Sequence, residues 1–330
     1  MCRVALAAAI AVGLAACGDN EPECGTVEVL IGEHNVWSPM FAIDERFMYY
    51  ADYDIDGFGT ALVIRASRDG GGLVALGQLD YGEMFGNGLA YDETNLFWTG
   101  SGQEQTYFAL NETPRAGGPP YTLAYLPGCV PFGMTTSATE VFAGMASCDP
   151  LPSRVTAVDK ATGMKRIAWE AGMFDGDVRA LAYADDTLFI GTTIALFAIR
   201  PSGTNVITAG SPIRHLEIHG GYLYYSEEHY GVFRTPTTGG PREQLYEYAP
   251  TNDRQGAFSV DGDDLYVAEP PHMLRVRNGS AQIIVNDLGS VSEIAASDGY
   301  AWWSALVYPN APGGFDTFSG AIARVARPCD

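Results

Sequence analysis

The run Asp52-Tyr53-Asp54-Ile55-Asp56-Gly57 places three carboxylates at alternate positions ahead of a glycine. Converging hard oxygens followed by a residue that permits a tight turn suit calcium. The ligands on offer are Asp52, Asp54, Asp56 and the carbonyl of Phe58. Val63 stands at the twelfth position, where a helix-loop-helix calcium site needs a bidentate Glu, so that class is excluded. The same run also reads as a polar hairpin in an acidic protein. A second group, His215-Leu216-Glu217-Ile218-His219, puts three polar side chains on one strand face, because strand side chains alternate. They spread over about 13 Å, too far for all three to reach one ion. A metal there needs ligands from elsewhere in the fold, and structural histidines are the plainer reading. No Gly-x-Ser-x-Gly elbow, phosphate-cradling glycine loop with Lys or zinc-protease helix occurs, so no catalytic residue is assigned.

These residues sit in a strongly acidic chain of 330 residues, with 19 Lys+Arg against 40 Asp+Glu and a net charge of −21. No basic stripe exists to neutralise phosphates, which excludes nucleic acid as a partner. The same charge disfavours anionic headgroups. Hydrophobic residues make up 47%, enough for a sizeable core, so disorder is excluded.

The elements that position the chemistry come from a repeat. Seven segments carry an acidic or small turn followed by a hydrophobic-aromatic strand, centred on Met48, Leu96, Val141, Leu188, Leu223, Leu265 and Ala301. Successive spacings of 48, 45, 47, 35, 42 and 36 suit one four-stranded blade each. A short strand precedes each turn, and a third and fourth follow, joined by pairs such as Gly70-Gly71 and Gly239-Gly240 that supply tight hairpins. We call the strands A to D from the centre outward. No sustained 3.6-residue period occurs beyond residue 17. The expected fold is therefore an all-β, seven-bladed propeller, one domain over residues 26–330. The last unit lacks strand D, and Thr26 to Ile31 is a strand without a unit. The N-terminal strand is expected to complete the last blade and close the ring, removing an open edge.

The face of each loop follows from that order. Loops joining D to A and B to C share one rim; A–B and C–D turns share the other. The A–B turns are short and acidic and read as turn chemistry. The longer loops of the first rim carry His34, Trp37, Glu228, His229, Tyr230 and His272, and a partner or ligand is expected there.

The start of the chain has a different purpose. Arg3 precedes a short apolar run from Val4 to Leu14, too short to span a bilayer, and it ends in Leu14-Ala15-Ala16-Cys17. This resembles the lipobox of bacterial lipoprotein signal peptides. The resemblance implies that residues 1–16 are removed, that Cys17 is lipidated, and that residues 17–25 form a short tether to the membrane. Gly18 rather than Asp follows the Cys, which in many Gram-negative bacteria implies transport to the outer membrane. An ordinary secretory peptide is the alternative. Cys24, Cys129, Cys148 and Cys329 remain, an even number in an oxidising compartment. They allow three pairings. Ring closure favours Cys24–Cys329, and the third unit favours Cys129–Cys148. A metal site is disfavoured, because none of the spacings is Cys-x-x-Cys.

The repeat resembles bacterial lipid-anchored β-propellers, with Gly231-Val232-Phe233-Arg234-Thr235-Pro236 and Gly239-Gly240 its clearest copy. It is more distantly similar to YWTD, NHL and TolB-type propellers. The resemblance implies fold far more than function. The leading expectation is a non-enzymatic, monomeric envelope module that binds or scaffolds an envelope protein or small ligand and requires no cofactor, with calcium as an added structural ion. The alternative is a metal-dependent hydrolase or lyase acting on sugar- or peptide-like material.

Overall fold

The computed structural model describes residues 27–34, 36–53, 61–79, 88–101, 107–127, 130–146, 152–249, 256–286, 288, 290–307 and 319–326. The chain enters as β1 (Val27–His34). Blade 1 then runs through β2 (Val36–Ile43), β3 (Phe47–Tyr53), β4 (Ala61–Ser67) and β5 (Val74–Leu79). Blade 2 holds β6 (Leu89–Tyr91), β7 (Asn95–Ser101), β8 (Tyr107–Pro114) and β9 (Tyr121–Pro127). Blade 3 holds β10 (Val130–Thr136), β11 (Glu140–Ala146), β12 (Arg154–Asp159) and β13 (Lys165–Glu170). Blade 4 holds β14 (Val178–Ala184), β15 (Thr187–Thr192), β16 (Ala195–Arg200) and β17 (Gly203–Ala209). Blade 5 holds β18 (Ile213–His219), β19 (Tyr222–Glu227), β20 (Gly231–Pro236) and β21 (Glu243–Glu247). Blade 6 holds β22 (Phe258–Asp261), β23 (Asp264–Glu269), β24 (His272–Arg277) and β25 (Ser280–Val285). Blade 7 holds β26 (Ser290–Ser297), β27 (Tyr300–Val307) and β28 (Ser319–Ala326).

Each blade is a four-stranded antiparallel sheet in sequence order, and the fold is a seven-bladed β-propeller. The exception proves the closure: blade 7 takes β1 as its outer strand, in the order β1-β28-β27-β26. Val27 pairs with Val325 and Glu28 with Arg324, and the Arg324 Nε donates to Glu28 Oε2 at 2.7 Å. In blade 3, Val130 pairs with Ala146. Cys17, Cys24, Cys129, Cys148 and Cys329 lie outside the described residues, as do Asp54, Asp56 and Phe58.

The seven repeat-defining positions are all buried, none more than 4% exposed. They do not form one core. Seven hydrophobic clusters occur, one at each junction between neighbouring blades. At the closing junction Ile31, Trp302 and Ile322 of blade 7 pack on Phe41, Met48 and Tyr50 of blade 1. Each large side chain so buried stabilises by roughly 1.5–3 kcal/mol, so the ring is held by inter-blade faces. This is why every blade carries a hydrophobic strand B and why no blade is independent.

Three sequence-derived boundaries change. His34 and Trp37 were expected in a rim loop, but His34 ends β1 and Trp37 lies in β2. Ladder pairing continues further than the hydrophobic pattern, since polar backbone pairs as readily as apolar. Asp52 likewise belongs to β3, opposite Leu62 and Val36.

Candidate functional site

On the A–B/C–D rim, the acidic turns do two tasks. Asp44 Oδ1 accepts the backbone N–H of Arg46 and Phe47, both at 2.7 Å, and Asp92 Oδ1 accepts those of Thr94 and Asn95 at 2.8 Å. That is the local turn chemistry Asp favours. The second carboxylate oxygen reaches the next blade. Arg115, which follows strand C of blade 2, hydrogen-bonds Asp44 Oδ2, while its Nε donates to Tyr49 Oη at 3.2 Å. Lys160 Nζ lies 2.7 Å from Asp92 Oδ2, and Thr237 Oγ1 donates to Asp185 Oδ2 at 2.9 Å. Arg68 bonds Asp298 across the ring closure. Burial alone would raise Asp44, but the Tyr49 hydroxyl, the two amides and Arg115 outweigh it and hold the carboxyl below its usual range. Asp92 is lowered in the same way by Lys160 and its own turn, again against burial. Sequence reasoning found the turns and missed the latches.

The inner strands of blades 5, 6 and 7 bring together a second titratable group. His215 Nδ1 lies 3.0 Å from Glu293 Oε1 of blade 7, and its ring meets Phe258 of blade 6 edge-on at 4.8 Å. Glu217 Oε1 accepts the Val260 N–H at 3.2 Å. Burial pushes Glu217 up to about 7, with Glu293 adding to the rise and His215, Val260 and Ser259 opposing it. His215 is raised as well: burial would lower it, and the charge and hydrogen bond of Glu293 more than reverse that. His215 and Glu217 thus meet residues of the two following blades. His219, two residues on, lines a groove between blades 5 and 6 instead. Among the described residues no group of three His, Cys, Asp or Glu side chains could hold a metal ion. Chemically the cluster can bind and release a proton near neutrality.

The D–A/B–C rim over blades 4 and 5 is a third region. Gly172 N–H donates to Asp175 Oδ2 at 2.7 Å, and this stapled turn presents Met173 and Phe174, 90% and 80% exposed. Neighbouring turns join it in series. Asp177 O accepts the Thr193 N–H at 2.9 Å, Ile194 O accepts that of Gly210 at 2.7 Å, and Pro212 O accepts that of Glu228 at 2.9 Å. The ridge thus links Met173, Phe174, the partly exposed Ile194 and the exposed Tyr230. Of the rim residues expected to bind, Glu228 is held in a bidentate pair by Arg214, at 2.6 and 3.1 Å. His229 is exposed in a left-handed conformation, with φ 69°. Gly231 follows, where a Cβ would fall 1.9 Å from Tyr246 O, so only glycine fits the turn. His272 is half-buried at the start of β24 and stands apart from this ridge, in blade 6.

No protein-family profile matches the chain, and no curated protein matches it. Solved structures do. The GH74 enzyme of Niastella koreensis is 11% identical with a TM-score of 0.63, over 84% of this chain and 52% of that one. The computationally designed Ika8 protein is 10% identical with a TM-score of 0.56, over 90% of this chain and 99% of that one. The extracellular domain of the hybrid two-component system BT4673 from B. thetaiotaomicron is 12% identical with a TM-score of 0.55, over 89% of this chain and 38% of that one. At these identities the likeness shows a shared propeller fold and nothing of activity.

Proposed function

We propose that this propeller is a lipid-anchored binding or scaffolding module of the bacterial cell envelope, tethered through Cys17 at the outer membrane. The observation that carries the binding reading is the Met173–Phe174 pair, two large apolar side chains held out on a stapled turn. Exposed apolar groups on a rigid support mark contact surfaces, because desolvating them on association is favourable and little ordering cost remains. Tyr230 on the same ridge adds an aromatic anchor. The direction of β1 supports the geometry. It enters at Val27 on the A–B/C–D rim and runs toward the D–A/B–C rim, so a tether and the ridge would lie at opposite ends of the ring.

A photoreactive residue at position 174 should give one discrete protein adduct in intact cells, while one at Ile167, exposed on the outer strand β13, gives none. Equal or absent adducts from both positions would end the reading. Cys17→Ser should move the protein from membrane to soluble fractions, and unchanged fractionation would remove the anchor. Calcium at the Asp52–Phe58 loop and the Cys24–Cys329 and Cys129–Cys148 bonds belong to the same proposal, as supports for the ring. Metal content, and melting temperature with and without chelator, test the first; mass shift on alkylation before and after reduction tests the second. The metal-dependent hydrolase or lyase has less support, since Glu293 already engages His215 Nδ1. A stoichiometric transition metal in protein purified without chelator would revive it.

A further inference from the structure

At the A–B/C–D rim the blade junctions are filled, with one exception among the described residues. Latches join blades 7 and 1, 1 and 2, 2 and 3, and 4 and 5 through Arg68, Arg115, Lys160 and Thr237. Tyr183 stacks on Phe142 at 5.3 Å between blades 3 and 4. Asp261 Oδ2 accepts the Gly299 N–H at 2.9 Å between blades 6 and 7. Between blades 5 and 6 both halves of the latch are replaced. Gly220 stands where Asp185 and Asp298 stand in their blades, and Asn278 follows strand C where Arg68, Arg115 and Lys160 do. Sterics do not demand the glycine. Its φ of 57° matches the 50° and 51° of those aspartates, and a Cβ there would meet nothing within 4 Å.

The replaced latch leaves a groove of about 580 Å³, within the range of small-molecule sites. Val260, Leu265 and Val276 are buried along it. Its lining arginine is already engaged. Arg234 Nε lies 2.8 Å from Glu243 Oε2, and its guanidinium sits 4.8 Å from the centre of the Tyr222 ring. Asp264, also in the lining, is held by Arg275 and Arg277, which lie 2.9 and 3.0 Å from its Oδ1. That disfavours an anionic ligand. The remaining lining is mixed: His219, Asn278 and Asp263 offer donors and acceptors, and Tyr222 is exposed.

We propose that this groove binds a neutral saccharide. A sugar ring has an apolar C–H face and a polar edge of adjacent hydroxyls. The groove offers the complement, an apolar wall with tyrosines, and planar amide and carboxylate groups that take neighbouring hydroxyls in pairs. The proposal is independent of the ridge on the opposite rim.

Titration calorimetry of the soluble chain beginning after Cys17, with cellobiose, maltose and chitobiose, tests it. The expected result is saturable binding of at least one, with a Kd in the millimolar range or tighter. Tyr222→Ala and Asn278→Gly should weaken it by about tenfold or more with melting temperature little changed, since both side chains reach solvent and glycine keeps the left-handed backbone of position 278, φ 51°. Gly220→Asp, which places there the residue that Asp185 and Asp298 supply at the same turn position, should weaken it too. Phe174→Ala should not. No binding of any of the three, or binding indifferent to Tyr222 and Asn278, would overturn the proposal. Spermidine binding in their place would overturn it as well, making the groove an amine site.

Discussion

Asp44 and Glu217 are both carboxylates set between blades, and their protons behave in opposite ways. Asp44 is fully buried, meets Arg115, Tyr49 and two turn amides, and is held below its usual range. Glu217 meets one backbone amide, Ser259 and a histidine, stands near a second carboxylate, and rises to about 7. Burial raises both. What differs is the supply of permanent charge: the turn junction receives an arginine from the next blade, and the charged groups that the inner strands of blades 5 to 7 supply to Glu217 themselves titrate. Position in the ring therefore decides whether a carboxylate is a fastener or a proton store.

The largest test of the contrast is Asp44→Ala. It leaves Arg115, 8% exposed, without its main counter-charge, and should cost about 3–5 kcal/mol in urea unfolding. A loss near zero would mean that the latch is ornamental.

The next test is the pH profile. Glu217 has an ordinary value of 4.5 and rises to about 7 in the fold, so the folded state holds its proton more tightly. Its contribution is complete below pH 4.5 and is lost as pH rises toward 7. His215, also raised, adds to the same decline above 6.5. The latch carboxylates act in the other sense. Asp44 and Asp92 contribute above 3.8 and lose that contribution as pH falls through their depressed values. Glu217→Gln should flatten the decline between pH 4.5 and 7, a difference of order 3 kcal/mol at ~1.4 kcal/mol per pKa unit. Among the described residues the groups that act on Glu217 are His215, Ser259, the Val260 amide and Glu293, none of them an arginine, and the charge of Glu217 is felt at Tyr91. An unaltered slope in the variant would break the comparison.

Smaller effects sharpen it. Lys160→Met removes a latch whose side chains are 14% and 24% exposed, and should cost about 1–2 kcal/mol. Arg166→Ala removes a pair with Glu140 within one blade, where the guanidinium is 55% exposed, and should shift stability by no more than about 0.5 kcal/mol. If these two losses were equal, spanning a junction would carry no special weight.

Much of the fold was legible because one physical requirement recurs: each blade must bury a hydrophobic strand B against its neighbour, and each turn before it must supply its own hydrogen-bond acceptor. Both leave marks at fixed places in every unit. The latches left a weaker mark. Arg115 follows Asp44 by 71 residues and Lys160 follows Asp92 by 68, so partners lie a blade and a half apart. Only an alignment of strand C ends exposes them. His215 and Glu293 skip an entire blade, and no local pattern joins them. Met173 and Phe174 were hidden for the opposite reason. Apolar residues beside a strand read as core, and only the stapled turn at Asp175 turns them outward. Asp52 was misjudged as loop, because backbone pairing does not stop where hydrophobicity does.

The seam between β1 and β28 has a consequence for the making of the protein. Val27 waits for Val325, nearly the whole length of the chain. A polypeptide is made N-terminus first, so β1 stays unpaired until β28 has been synthesised. Closing so long a loop costs only a few kcal/mol, because the entropy grows with the logarithm of length. The delay is kinetic: high contact order makes the final step slow, and both sheet edges stay exposed to other chains meanwhile. Biogenesis is thus the stage at which this ring is most open to mispairing, and a holding chaperone would act in the interval between the first strand and the last.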